Sequence, residues 1–290
     1  MHYLDRYEIA LRAKGENTDT ALIILRRLER DGMPIPFTKD DLLTAMSELR
    51  DRIAPNSVRR YVSVLKSFSR WYAEEYDADD VARNIKRPKG TVPAPGRIAD
   101  MAEIEAVIDS LLAKARRSPE MRFSHVRAAA VLRALADTGC RRSELIRLKV
   151  ADLYFEQQQP EILFRVPKNR HERRVPMTDA LDHLLTRWYL PSRENQSAAS
   201  SPALLIGTKG ALTTSGIESI VTKLEREYGV RIKCHDLRRS LAHRLAAAGV
   251  PDDSIMSVGG WKSPIMPIYY RRELAGERAR DDFLRVFNQQ

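Results

Sequence analysis

Two stretches near the end of the chain gather residue types that act on phosphate. "KCHDLRRSLAHRLAAAGV" sets His235 and Arg238 three residues apart at the head of a helical run. "VGGWKSPIMPIYYRREL" follows with adjacent Tyr269 and Tyr270, flanked by Arg271 and Arg272. Three-residue spacing puts His235 and Arg238 on one helix face. A guanidinium neutralises phosphate oxygens through paired N–H donors, an imidazole accepts or relays a proton, and a deprotonated phenol is a nucleophile. Taken alone, the same residues also describe a helix with a solvated basic face. Trp261, after two glycines, offers an indole N–H donor but also suits a core.

Two upstream clusters bear on that choice. "ADTGCRRSEL" places Arg141 just after a Thr-Gly helix stop and three residues before Glu144. An arginine at the mouth of a helix points at an anion together with free backbone N–H groups. The plain alternative is a helix-start arginine paired with Glu144 or Glu161. "RVPKNRHERRVP" reads as a β-hairpin whose tip is dense in cations, among them Lys168, Arg170, His171, Arg173 and Arg174. A lysine there can swing into a DNA groove or a reaction centre, and an ordinary solvated turn has the same composition. No glycine-rich phosphate loop, dinucleotide fingerprint or HExxH helix is present, so no cofactor and no metal are expected. The two cysteines, Cys140 and Cys234, form neither a disulfide framework nor a zinc site. Each directly precedes a polar candidate, which raises a redox pair of thiols as a minor alternative to two reduced ones.

The elements that must position these residues follow from periodicity. Helices are expected at 3–13, 18–30, 39–50 and 56–76. In the last, Asn56 is the expected cap, and Val58, Tyr61, Val62, Leu65, Phe68 and Tyr72 recur at helical spacing. Arg59, Arg60, Lys66 and Arg70 interleave with that stripe and face either phosphates or water. "NIKRPKGTVPAPGR" (84–97) holds three prolines, two glycines and four basic residues, the composition of an exposed linker. Beyond it, helices are expected at 101–116, 121–137 and 142–149, then strands at 152–156, 161–166 and 173–177. Helices resume at 178–190, 213–228, 235–248, 251–259 and 271–287, with a polar loop at 191–202. The fold class is mainly α with a small antiparallel β-sheet, in two domains: a helical 1–88, a basic linker 89–99, and a mixed α/β 100–290.

Composition sets the outer bounds. The 290 residues are 43% hydrophobic and 30% charged, a globular balance. A net charge of +10 favours a polyanionic partner, nucleic acid before a membrane surface. No apolar run approaches the ~20 residues of a membrane span, and the N-terminus lacks the apolar core of a signal peptide. The expected location is the cytoplasm, at the nucleoid.

Taken in order, these stretches resemble the motifs of the tyrosine recombinase (phage integrase) family. "TGCRRSEL" is similar to its Thr-Gly-x-Arg-x-x-Glu-Leu motif, "KNRHERRVP" to its hairpin lysine before Arg-x-Val-Pro, and "HDLR" to its His-x-x-Arg. "GGW" is similar to its Gly-His or Gly-Trp, and Tyr270 stands nine residues after Trp261. "NIKRPK" resembles the family's inter-domain junction and 1–88 its core-binding domain, so the likeness covers nearly the whole chain. It implies a catalytic domain of the DNA-breaking-rejoining type and a site-specific recombinase that needs neither ATP nor metal. It implies that Arg141 and Arg238 clamp the scissile phosphate while Tyr270 attacks it to form a 3′-phosphotyrosine. His235 would take or relay a proton, Lys168 would protonate the leaving 5′ oxygen, Trp261 would bind and pack, and Glu144 would orient its neighbours. Arg59, Arg60, Lys66, Arg70, Lys86, Arg87, Lys89, Arg170, Arg173 and Arg239 become candidates for DNA contact. The implied partners are double-stranded DNA at recombination core sites, further copies forming a tetramer around a Holliday junction, and an accessory or directionality factor. The apolar stripe Ala275, Ala279, Phe283, Val286 and Phe287 would dock on its own domain or on a neighbouring copy. Phage or mobile-element integration and excision is the first expectation. The alternatives are chromosome-dimer resolution, a type IB topoisomerase-like enzyme and an inactive DNA-binding relative.

Overall fold

Pro55 opens the helix that organises the N-terminal unit. A proline at the first helical position loses nothing, because its missing N–H would have no partner there. Helix α4 (Pro55–Tyr76) therefore starts one residue before the expected Asn56 cap, and it ends on Asp77 in the left-handed conformation (φ 49°). Its stripe of Val58, Val62, Leu65, Phe68 and Trp71 is buried among residues of α1 (Tyr3–Ala13), α2 (Asp19–Arg30) and α3 (Lys39–Arg52), including Leu4, Tyr7, Leu25 and Leu42. Thr38 and Asp41 close a reciprocal capping box at the start of α3. The computed structural model describes residues 2–16, 18–89, 96–166 and 171–287, and it divides into units 1–94 and 95–290.

The second unit is built around α6 (Arg122–Thr138), which packs on α5 (Met101–Arg117) and is buried along most of its length. It stops at Gly139 (φ 57°), where any Cβ would press to 2.7 Å of Leu241. The chain then enters the single turn of α7 (Arg142–Leu145), shorter than the expected 142–149. A three-stranded antiparallel sheet follows in the order β1 (Leu153–Tyr154), β2 (Glu161–Val166), β3 (His171–Pro176). Helix α8 (Asp179–Leu184) runs through a π-helical turn into α9 (Leu190–Glu194), so helix occupies the head of the expected polar loop. Then come α10 (Thr214–Tyr228), α11 (Cys234–Ala247), α12 (Asp252–Gly259) and α13 (Ile265–Phe287). Helix α13 begins six residues before the expected 271, which places Tyr269 and Tyr270 inside it. The architecture is mainly helical with one small antiparallel sheet, as composition and periodicity indicated. Among the described residues no helix is long and apolar enough to cross a membrane.

Candidate active site

Arg141 leaves the Gly139 turn as the N-cap of α7, its side chain half exposed. Glu144, 6% exposed, turns back onto it: Oε2 accepts from the Arg141 backbone N–H at 2.9 Å and Oε1 from Arg141 Nη1 at 2.8 Å. Burial pushes the Glu144 carboxyl up. Hydrogen bonds from Arg173, then from the Arg141 backbone, outweigh that and hold it below the usual carboxylate range.

Arg238 lies on the first turns of α11 and is 3% exposed. Its Nη1 donates to the Gly139 carbonyl, which ties α11 to the turn before Arg141. Its guanidinium stacks 4.1 Å from the centroid of the Trp261 ring. Among the described residues its buried Nη2 has no hydrogen-bond partner. Burial, followed by the charge of nearby Arg141, brings its pKa down to about 10. A buried guanidinium with an unused donor beside a second cation is stabilised by an arriving anion, because the anion supplies both the missing acceptor and the missing charge.

His235 stands exposed at the head of the same helix. Desolvation and then the cations Arg239 and Arg238, with Arg141 further off, hold its pKa below the ordinary imidazole value. It is therefore neutral and able to accept a proton at neutral pH. Trp261 follows Gly259 and Gly260, and a side chain on Gly259 would run into its indole.

Tyr270 belongs to a small buried cluster against which Trp261 also packs. It is 0% exposed, in a cluster with Ala242, Ala246, Ile255 and Leu274, and its ring meets those of His243 and Tyr269 edge-on at 5.9 Å each. Ala242 and Ala246 lie four and eight residues beyond Arg238 on α11. Arg141, Glu144, His235, Arg238 and Trp261 thus converge, and Tyr270 is sheltered beside them.

The sequence pattern of the Phage integrase family matches residues 104–277. The chain belongs to that family, the tyrosine recombinases. The recombinase is 29% identical to tyrosine recombinase XerC of Roseiflexus castenholzii over 219 residues, 73% of this chain and 67% of that one. It is 28% identical to the putative integrase/recombinase y4rE of Sinorhizobium fredii over 251 residues, 83% of this chain and 77% of that one. Its fold is similar to XerH site-specific recombinase bound to palindromic difH substrate, at TM-score 0.66, 17% identity and coverage of 89% and 77%. It is also similar to a lambda integrase tetramer bound to a Holliday junction, at TM-score 0.62, 17% identity and coverage of 93% and 76%.

The remaining candidates divide by their surroundings. Lys168 and Arg170 lie outside the described residues. Arg59, Arg60, Arg70, Lys86, Arg87 and Lys89 are exposed, with Arg60 donating to Thr20 Oγ1 at 2.9 Å. Lys66 differs from the expectation of DNA contact. Its Nζ donates to the carbonyls of Ala82, Arg83 and Ile85 at 2.7–2.9 Å, which uses all three of its protons inside the protein. Arg173 differs too: its side chain is 10% exposed and committed to Glu144 and to the Val258 carbonyl. Arg239 is largely covered, pairs with Asp236 at 3.2 Å and lies against Gly96. Burial pushes the Cys140 thiol up to about 12 and raises Cys234 as well, which leaves little thiolate for a redox pair. Among the described residues no group of His, Cys, Asp and Glu could hold a metal ion.

Proposed function

We propose that this recombinase cuts and rejoins double-stranded DNA at short core sites through a 3′-phosphotyrosine on Tyr270. The observation that carries the reading is Arg238: a buried guanidinium whose Nη2 has no partner among the described residues, stacked on Trp261 and facing the charge of Arg141. Together the two arginines neutralise the non-bridging oxygens of one phosphate, most strongly as charge builds in the pentacoordinate transition state. The phenol of Tyr270 passes its proton to neutral His235, and its oxygen bonds to phosphorus. The phosphorus–5′-oxygen bond breaks, and the leaving oxygen takes a proton from Lys168. Attack by a 5′-hydroxyl on the phosphotyrosine reverses these steps, so the bond energy is kept and no ATP is required.

Residues 1–88 clamp the duplex and 89–99 link the clamp to the catalytic domain 100–290; the exposed cations on α4 and the linker support this. Tetrameric assembly around a Holliday junction is supported by the end of α13. There Phe283, Val286 and Phe287 are 60–70% exposed, an apolar tail suited to docking on a neighbouring copy. Integration and excision of a phage or mobile element is the physiological event we favour. The relatives named Xer support chromosome-dimer resolution as the second.

Covalent capture on nicked, fragmented DNA from the source genome tests the proposal. Wild type leaves 3′-phosphotyrosyl ends at one discrete sequence, and Tyr270→Phe leaves none. No adduct with wild type refutes the enzyme mechanism, and an adduct persisting in Tyr270→Phe moves the nucleophile to Tyr269. On the captured sequence, two-site recombination without relaxation of single-site plasmids separates a recombinase from a topoisomerase.

A further inference from the structure

We infer that Arg173 is a positioning residue that sets both phosphate-clamping arginines at once; this rests on the phosphate-cutting function proposed above. In β3 the side chains alternate, Arg174 outward over the Tyr154 ring and Val175 inward at 1% exposure. That alternation turns Arg173 inward, opposite Phe164 in the β2–β3 register, with its guanidinium 4.6 Å from the Phe164 ring centroid. An arginine in a core-facing register position must find partners for its charge.

It finds them on two separate segments. Nη2 donates to Glu144 Oε2 at 2.9 Å, the same oxygen that accepts the Arg141 backbone N–H. The other oxygen of that carboxylate holds Arg141 Nη1. Arg173 therefore fixes the carboxylate that orients Arg141 through both backbone and side chain. Its Nε donates to the Val258 carbonyl at 3.0 Å, two residues before the left-handed Gly260 (φ 66°) and three before Trp261. A Cβ on Gly260 would come within 2.9 Å of Arg173 Nη1, so the turn and the guanidinium are fitted to each other. That turn delivers the indole on which Arg238 stacks. One buried fork thus spans the hairpin, the start of α7 and the end of α12. A buried ion pair is weak evidence for stability, since apolar replacement often serves as well. The geometric task is specific, because lysine offers a point charge in place of a two-directional fork.

The test compares two nicked suicide duplexes carrying the captured core sequence, one with an ordinary scissile phosphodiester and one with a neutral methylphosphonate there. Arg173→Met is expected to slow adduct formation on the diester on the order of a hundredfold, the effect of misplacing a catalytic group by about 1 Å. DNA affinity should stay at the wild-type level. On the methylphosphonate, which carries no charge for Arg141 and Arg238 to neutralise, its deficit should shrink to less than about tenfold. Arg173→Lys keeps the buried charge and serves where Arg173→Met melts early; it should show a smaller deficit with the same narrowing. An equal deficit on both substrates marks a merely structural residue and overturns the inference, as does a full rate on the diester. A wild type that cleaves the diester but not the methylphosphonate overturns it too, since neutralisation would not be the arginines' task. A wild type that forms no adduct on the diester refutes the underlying function instead.

Discussion

Tyr270 is fully buried, and the residue after it is latched. Arg271 donates Nε and Nη2 to Asp252 Oδ1 at 3.0 and 2.8 Å, and Nη2 also reaches the Val250 carbonyl at 2.7 Å. The pair is about one-third exposed on each side, 36% for Arg271 and 31% for Asp252. A pair in that setting contributes about 0.5–1 kcal/mol after screening. Asp252→Asn removes the charge, keeps a polar side chain in the first turn of α12, and destabilises only the closed arrangement. If opening precedes chemistry, the barrier falls by the same amount, so adduct formation speeds up about two- to fivefold. Leu274→Ala calibrates the effect. It opens the pocket wall around Tyr270 (Leu274 is 8% exposed) at a cost of about 2–3 kcal/mol, on the order of 30- to 160-fold in rate. The assay is single-turnover adduct formation on the nicked duplex, with thermal melting to show an intact fold and hydrogen exchange to follow release of α13. If both variants melt normally, release α13 faster and yet form adduct no faster than wild type, burial of Tyr270 is not the barrier.

Four further outcomes are expected. Because desolvation and nearby cations hold His235 below the ordinary imidazole pKa, adduct formation should be flat at neutral pH and fall only on the acid side of about 6.5, as His235 protonates and stops accepting. Arg239→Gln removes a cation, raises that pKa and should move the acid limb upward; an unmoved limb in the pH–rate profile excludes His235 as acceptor. Lys66→Met should cost about 1–2 kcal/mol of thermal stability by removing the donor shared by the Ala82, Arg83 and Ile85 carbonyls, with no change in the salt dependence of DNA binding. Arg59→Ala or Arg70→Ala should leave melting alone and lower the salt slope by about one, as a lost phosphate contact does. Phe283→Ser with Val286→Ser should spare the melting temperature and DNA binding but abolish tetramers on DNA in sedimentation; tetramers that persist would place the docking surface elsewhere.

Much of the fold is legible in local pattern. The helices of the first unit and the three strands follow from apolar spacing, because backbone period alone decides which side chains share a face. The head of α13 was not legible. The expected helix began at 271, yet Pro267 sits in the first turn of α13, where backbone N–H groups have no acceptor within the helix to lose. Arg173 carried a usable signal in the alternation of "HERRVP", which pairs it with the inward Val175; its density among other cations hid it. Lys66 carried none, since its acceptors come from a turn 16–19 residues later.

By itself the sequence determined which residue types are present, their order and their spacing. That was enough for the family motifs and for singling out Arg141, His235, Arg238, Trp261 and Tyr270. Only the tertiary structure decided which cations are free and which are spent. It brought Arg141 and Arg238 to one place through the Gly139 carbonyl, buried Arg173 against Glu144, and buried Tyr270 against α11. The reason is physical. Charge and nucleophilicity belong to the residue, but exposure, pairing and reach depend on which distant segments pack against it, and no local period encodes that.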